Sequence, residues 1–294
     1  MFSKSIVALI TPFDSSGEVD YEAFERLIFM HLESGTSGLL ILGSTGEGLS
    51  LVSEEKQKLI ALAVKTVRGK VPIMVGASSA SARTCLETLQ LIKTCHADAA
   101  LVTPPFYVRP SQKGVVAYFQ ELNQFGFPTV LYHHPGRTGV ALTLDTMQQI
   151  ARSTSIIGIK ESSGDQTFFR DLHSSLSTPL FVGDDEALFD LSVCEPAGAI
   201  SVLANAFPKR WSSYTQLCLE GKRAQASEEH KALSPMFHAL SLESNPVSIK
   251  YVMEQMELCD SYLRLPLLAP ELSHAKILNE ALAKIQIDFP AKTL

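Results

Sequence analysis

The sequence predicts an α/β chain folded as a (β/α)8 TIM barrel with a helical C-terminal extension. Short apolar runs recur eight times, each nearly continuous rather than alternating, as in parallel strands buried on both faces. Amphipathic helical stripes fill the gaps. The strand starts fall roughly 20 to 35 residues apart, the spacing of strand–helix units. Eight such units leave sheet edges open unless the sheet closes into a barrel. A doubly wound open sheet shares the same repeat and is the alternative on pattern alone.

The runs are residues 6–10, 38–42, 72–75, 99–102, 129–132, 156–159, 180–182 and 199–202. Asp20 is placed to cap a helix whose buried stripe is Phe24, Leu27, Ile28 and Leu32. Ser53, followed by Glu54 and Glu55, is placed to start the next, with Leu59, Ile60, Ala63, Val64 and Val67 facing in. Cap side chains accept orphan backbone N–H groups, and acids suit the positive helix end. Later stripes are Leu86, Leu89 and Ile92, then Val115, Val116 and Phe119, then Leu144, Met147 and Ile150. Leu188 with Leu191, and Tyr214 with Leu217, mark shorter ones, and Trp211 falls on a helix as a core or interface residue. After Gly221 the strand signal stops, and 222–241, 246–258 and 274–287 read as helices. The expected organisation is a catalytic barrel over 1–220 and a helical extension over 221–294.

The 294 residues are 46% hydrophobic and 19% charged, enough apolar material for a large core. A net charge of -6 without a basic stripe argues against a nucleic-acid partner. Cys85, Cys95, Cys194, Cys218 and Cys259 are odd in number and none form a C-x-x-C pair, which fits free thiols in a reducing cytoplasm. The apolar run at 6–10 is too short for a signal peptide, and no run approaches the ~20 residues that span a bilayer.

In a barrel, the carboxyl ends of the strands face the active site. Lys160 directly follows the sixth run. An amine there is desolvated, which favours its neutral, nucleophilic form. A neutral amine attacks a ketone to form an imine; a rim ion pair with Glu161 is the alternative. The turn Gly43-Ser44-Thr45-Gly46-Glu47 offers backbone N–H groups to a carboxylate, or is a plain turn. It is not a Walker motif, and no dinucleotide fingerprint follows the first run. Tyr132 can relay a proton or simply pack. Arg137 can clamp a carboxylate or lie free on the surface. His133 and His134 suggest a metal, but neighbours on a strand point to opposite faces and do not readily share one ion. Asp184 and Asp185 read as a helix cap and a first-turn acid.

Taken in order, several motifs resemble the dihydrodipicolinate synthase family, within the Schiff-base aldolase superfamily that includes N-acetylneuraminate lyase. They are the Gly43–Glu47 turn, Phe106-Tyr107 with Arg109-Pro110-Ser111-Gln112, Tyr132-x-x-Pro135-x-Arg137-Thr138-Gly139 and Gly158-Ile159-Lys160-Glu161. Gly183-Asp184-Asp185, Ala199-Ile200-Ser201-Val202, Asn245-Pro246 with Lys250, and Leu263-Arg264-Leu265-Pro266 add to them. The resemblance runs from Ser5 to about Leu282. It implies a lyase that condenses pyruvate with L-aspartate 4-semialdehyde to 4-hydroxy-tetrahydrodipicolinate, on the route to diaminopimelate and lysine. It implies no metal and no cofactor beyond a covalent imine of pyruvate on Lys160.

By the same resemblance Tyr132 passes protons, with Ser44 and Tyr107 completing a hydroxyl relay. Thr45 holds the pyruvate carboxylate, Ile200 and Gly183 lie beside bound pyruvate, and Arg137 recognises the semialdehyde carboxylate. The family's Tyr107 equivalent reaches into a neighbouring subunit, so the resemblance implies at least a homodimer and commonly a homotetramer. This chain departs from the family in three ways. Ser44 replaces a threonine and loses its stiffness at χ1. His133 and His134 replace an Asn and an apolar residue, adding an imidazole that can bring pH dependence. Lys56, Ala80, Thr84 and Phe106 stand where lysine-inhibited relatives bind lysine; the Lys56 cation repels it, so feedback is expected to be weak or absent. The alternatives are N-acetylneuraminate lyase or 2-keto-3-deoxy sugar acid aldolase activity, disfavoured by Arg137, and a non-catalytic metabolite-binding barrel.

Overall fold

The computed structural model describes residues 2–285. Eight parallel strands, β1 (Lys4–Ala8), β2 (Gly38–Ile41), β3 (Ile73–Gly76), β4 (Ala99–Val102), β5 (Thr129–His133), β6 (Ile156–Glu161), β7 (Leu180–Val182) and β8 (Gly198–Ser201), close in sequence order into a barrel. β1 pairs with both β2 and β8, so no edge is left open. Helices α1 (Tyr21–Glu33), α2 (Ser53–Val67), α3 (Ala82–Thr94) and α4 (Gln112–Phe125) follow the first four strands. After β5 come the short α5 (Pro135–Thr138) and α6 (Leu144–Ala151), then α7 (Gln166–Ser175), α8 (Leu188–Leu191) and α9 (Pro208–Leu219).

The strands alternate between two apolar environments. Val130 and Tyr132 join an inner cluster with Leu40, Leu101, Phe181 and Ile200, whereas Leu131 packs outward against the helices. Both faces exclude water, which is why the runs read as continuous in the sequence. Trp211 of α9 is fully buried in the outer layer.

Several local expectations shift. β1 lies two residues earlier than the 6–10 run; Leu9 and Ile10 stay buried, but the Ile10 N–H leaves the ladder and donates to Asn205 Oδ1 at 3.0 Å. β6 runs on through Lys160 to Glu161, so the lysine is part of the ladder. Asp20 caps α1 by accepting from the Ala23 N–H at 2.8 Å. Ser53 is not a cap. Val52 holds that position, and the Glu55 carboxylate reaches back to accept the Val52 N–H at 2.9 Å. Asp184 does not cap α8, whose N-cap position is held by Ala187; its Oδ1 accepts the Glu186 N–H at 3.1 Å. Asp185 is not in the first turn of α8 either: its carboxylate accepts the N–H groups of Val202 and Leu203 at 3.1 and 2.7 Å and so anchors the turn after β8.

Beyond α9 the chain is helical: α10 (Arg223–Ser241), α11 (Val247–Gln255) and α12 (Leu272–Lys284). The end of the expected 274–287 helix and the last residues of the 221–294 extension lie outside the described residues, as does Met1. Among the described residues no helix is long and apolar enough to cross a membrane.

One buried ion pair ties this extension to the barrel mouth. Lys250 of α11 is fully buried, and its Nζ donates to Glu47 Oε1 at 2.5 Å and to the Tyr262 carbonyl at 2.9 Å. Burial pushes the Lys250 pKa down, and the Glu47 charge opposes that. The other Glu47 oxygen accepts the Arg264 N–H at 3.1 Å, while the Arg264 guanidinium grips both oxygens of Glu55. Removing one partner of such a pair strands the other charge in the interior. Lys250→Ala is therefore expected to lower unfolding stability by about 3–5 kcal/mol in urea titration; a loss below about 1 kcal/mol would contradict this role.

Candidate active site

The carboxyl ends of the strands enclose a composite cavity with two lobes, of about 400 and 550 Å³. Ser44, Tyr132, His134, Arg137 and Asn245 line both lobes. Lys160, Thr45 and Gly183 line the smaller one. The larger lobe extends past Lys56 and Phe106.

Lys160 sits at the centre because of strand register. It is the Cα partner of Tyr132 on β5 and of Phe181 on β7. Its side chain is buried, and Nζ lies 4.3 Å from the centroid of the Tyr132 ring. The alternative of an ion pair with Glu161 is not what the strand permits. Successive residues face opposite sides, and Glu161 points outward to accept from His133 Nδ1 at 3.0 Å. Among the described residues no carboxylate lies within ion-pair reach of Lys160. Gly183 gives room to the Ser162 hydroxyl and to the lysine: a Cβ there would come 1.9 Å from Ser162 Oγ and 2.7 Å from Lys160 Cε.

The turn after β2 is held from behind. The Thr11 hydroxyl donates to the Gly46 carbonyl at 2.6 Å, and the Gly48 N–H returns to the Gly43 carbonyl at 3.1 Å. The backbone N–H groups of Ser44 and Thr45 have no partner among the described residues. Thr45 is buried, and its hydroxyl accepts from Asn245 Nδ2 at 2.8 Å. Asn245 also offers its carbonyl to Arg137 Nη2 at 3.1 Å. It thus joins two expected site residues that lie 200 and 108 positions before it in the chain, a link no local pattern announces.

The two histidines separate: His133 is the last residue of β5, and His134, the N-cap position of α5, turns to the other side. His133 is outside the barrel, and both ring nitrogens are engaged. The Leu142 N–H donates to Nε2 at 3.0 Å, so Nδ1 carries the proton given to Glu161. That leaves no lone pair for a metal, and among the described residues no group of three His, Cys, Asp or Glu side chains could hold an ion. His134 instead lines the cavity, its ring set edge-on to Tyr132 with centroids 5.7 Å apart. Burial lowers its pKa to about 4, helped by the charges of Arg137 and Lys160. Burial also pushes the Asp185 carboxyl up to about 6, against the pull of its backbone N–H partners.

Two expected residues line neither lobe. Ile200 is packed in the inner cluster beside Tyr132 and does not line the lobe that holds Lys160; Val202, two residues on, does. Tyr107 is 91% exposed, although its neighbour Phe106 lines the larger lobe. The dihydrodipicolinate synthetase family profile matches residues 1–285.

This chain belongs to that family.

It is similar to a Coxiella burnetii 4-hydroxy-tetrahydrodipicolinate synthase, 36% identical over 289 residues, covering 98% of this chain and 99% of that protein. The crystal structure of dihydrodipicolinate synthase from Aquifex aeolicus superposes with a TM-score of 0.93 at 33% identity, covering 96% of this chain and 98% of that one. A structure described as a monomeric dihydrodipicolinate synthase variant matches equally well, at TM-score 0.93 and 30% identity over 96% of both chains. Family members are Schiff-base aldolases that bind pyruvate.

Two outcomes test this geometry. In Gly183→Ala the added methyl overlaps the Ser162 hydroxyl first and Lys160 Cε next, so both side chains must shift, and misplacing a reacting amine by about 1 Å costs roughly 100-fold in rate. The rate of keto-acid labelling at Lys160 should fall accordingly, with secondary structure unchanged by circular dichroism. The second concerns pH. The unfolded chain protonates His134 near 6.5 and the folded ring only near 4. The ring's contribution to stability is complete above pH 6.5 and is lost as pH falls through that window. Between about pH 7 and about pH 5, urea midpoints should fall less in His134→Gln than in the wild type; equal falls would contradict the depressed pKa.

Proposed function

We propose that this chain condenses pyruvate with L-aspartate 4-semialdehyde to 4-hydroxy-tetrahydrodipicolinate, as an enzyme of diaminopimelate and lysine biosynthesis. The observation that carries this reading is the buried Lys160 amine, 4.3 Å from the Tyr132 ring centroid and without an ion-pair partner, in one cavity with Arg137 and the Ser44–Thr45 turn.

Nζ of Lys160 attacks the keto carbon of pyruvate; water leaves and an imine forms. The protonated imine draws electrons from the adjacent methyl group, which gives up a proton and becomes an enamine. The enamine carbon bonds to the aldehyde carbon of the second substrate, whose oxygen takes up a proton. The semialdehyde amine then attacks the imine carbon, the ring closes, and the C–N bond to Lys160 breaks to return the free amine. Tyr132 and Ser44 move these protons. The unpaired N–H groups of Ser44 and Thr45 suit the pyruvate carboxylate. Arg137 suits that of the semialdehyde. The barrel, 1–220, is the catalytic part, and the extension over 221–294 roofs it through Asn245, Ser248 and Ile249.

Tyr107 joins the relay only from a second copy. Its exposure and its left-handed backbone, at φ 70, suit a residue held out to enter a neighbour's site. We read the active species as a homodimer or a tetramer of paired dimers. Arg137 favours this substrate pair over a sialic acid or a 2-keto-3-deoxy sugar acid, whose reacting ends offer no second carboxylate to a guanidinium there.

Borohydride reduction with pyruvate should add a stable mass to the Lys160 peptide and none to Lys160→Ala; an unlabelled wild type would sink the imine mechanism. Tyr132→Phe should lower kcat by about 10²–10⁴-fold while keeping the label. Lysine should fail to inhibit a coupled assay, since Lys56 enters the larger lobe and that lobe's lining holds no carboxylate; a micromolar inhibition constant would contradict this.

A further inference from the structure

The proposed reaction leaves His134 without a role, although its ring lines both lobes of the cavity. Its position is built. One edge of the ring lies against Tyr132, and a Cβ at Gly136 would come 3.3 Å from His134 Cε1 and 3.5 Å from Nδ1, so the bare glycine backs the Nδ1 side. Nδ1 is sealed from solvent and has no hydrogen-bond partner. Nε2 is therefore the ring nitrogen left to face the cavity.

The proton's location follows from cost. A sealed N–H without an acceptor is worse than a sealed lone pair without a donor. The proton of the neutral ring belongs on Nε2, where the cavity can supply an acceptor. Arg137, three residues on, lines the same two lobes, and its charge adds to burial in lowering the basicity of the ring. A guanidinium and an imidazole N–H lining one cavity can together serve the two oxygens of a carboxylate.

We infer that His134 is a specificity-determining residue that donates Nε2–H to the carboxylate of the second, aldehyde-bearing substrate, alongside Arg137. The inference rests on the Schiff-base reading, and the experiment separates the two.

Steady-state kinetics on wild type, His134→Val and His134→Gln would be run beside pyruvate–borohydride labelling of each. A hydrogen bond to a charged group is expected to be worth about 10-fold or more in affinity, so KM for the semialdehyde should rise by that factor in His134→Val. The pyruvate KM, kcat and labelling rate should stay within about 2-fold, the pattern of lost uniform binding. His134→Gln keeps a side-chain N–H donor and should recover most of the affinity. An unchanged semialdehyde KM in His134→Val overturns the inference, as does an equal rise in both variants, which would mark a packing role. Absence of label in the wild type overturns the Schiff-base reading and this inference with it.

Discussion

Tyr132 and Lys160 are register partners on adjacent parallel strands, and both side chains face into the barrel. Parallel pairing fixes neighbours side by side, and the two-residue alternation fixes which face they share. A slip of one residue would turn Lys160 into the outer layer and bring Glu161 inward. The dry packing on both sides of β5 and β6 prevents that slip. Leu131 and Ile159 need the outer layer, and Val130 needs the inner one. The buried amine is thus a product of core packing at some distance from any chemistry.

A second set of contacts keeps the cavity mouth in shape. The turn that carries Ser44 and Thr45 continues into Glu47, and Glu47 is locked to Lys250 and Arg264 of the C-terminal extension. Asn245 then reaches from the same extension to Thr45 and Arg137. The segment before α11 thus holds Thr45 and Arg137, the residues proposed to bind the two carboxylates, so the extension shapes the site as well as covering it. Asp185 does comparable work after β8, where its carboxylate gathers two backbone N–H groups next to the cavity.

What the sequence disclosed and what it hid divide along the range of the interaction. The eight apolar runs, the Asp20 cap and the place of Lys160 at a strand end are local signals, and each is present in the fold. The opposite fates of His133 and His134 were readable from alternation at the strand end. Positions that depend on distant partners were not. Glu47 and Lys250 are 203 residues apart, and nothing beside either one shows that they meet. Ser53 looked like a cap until Val52 and Glu55 supplied a different one, and Asp185 looked local until it bonded across to the turn after β8. Tyr107 is the residue whose proposed role a single chain cannot display, since it is almost wholly exposed.

The most direct measurement is a crystal structure grown with pyruvate. The account predicts continuous density from Nζ of Lys160 to the keto carbon, with the carboxylate seated on the Ser44 and Thr45 N–H groups. Pyruvate bound without a covalent link, or found outside the lobe that holds Tyr132 and Gly183, would contradict it.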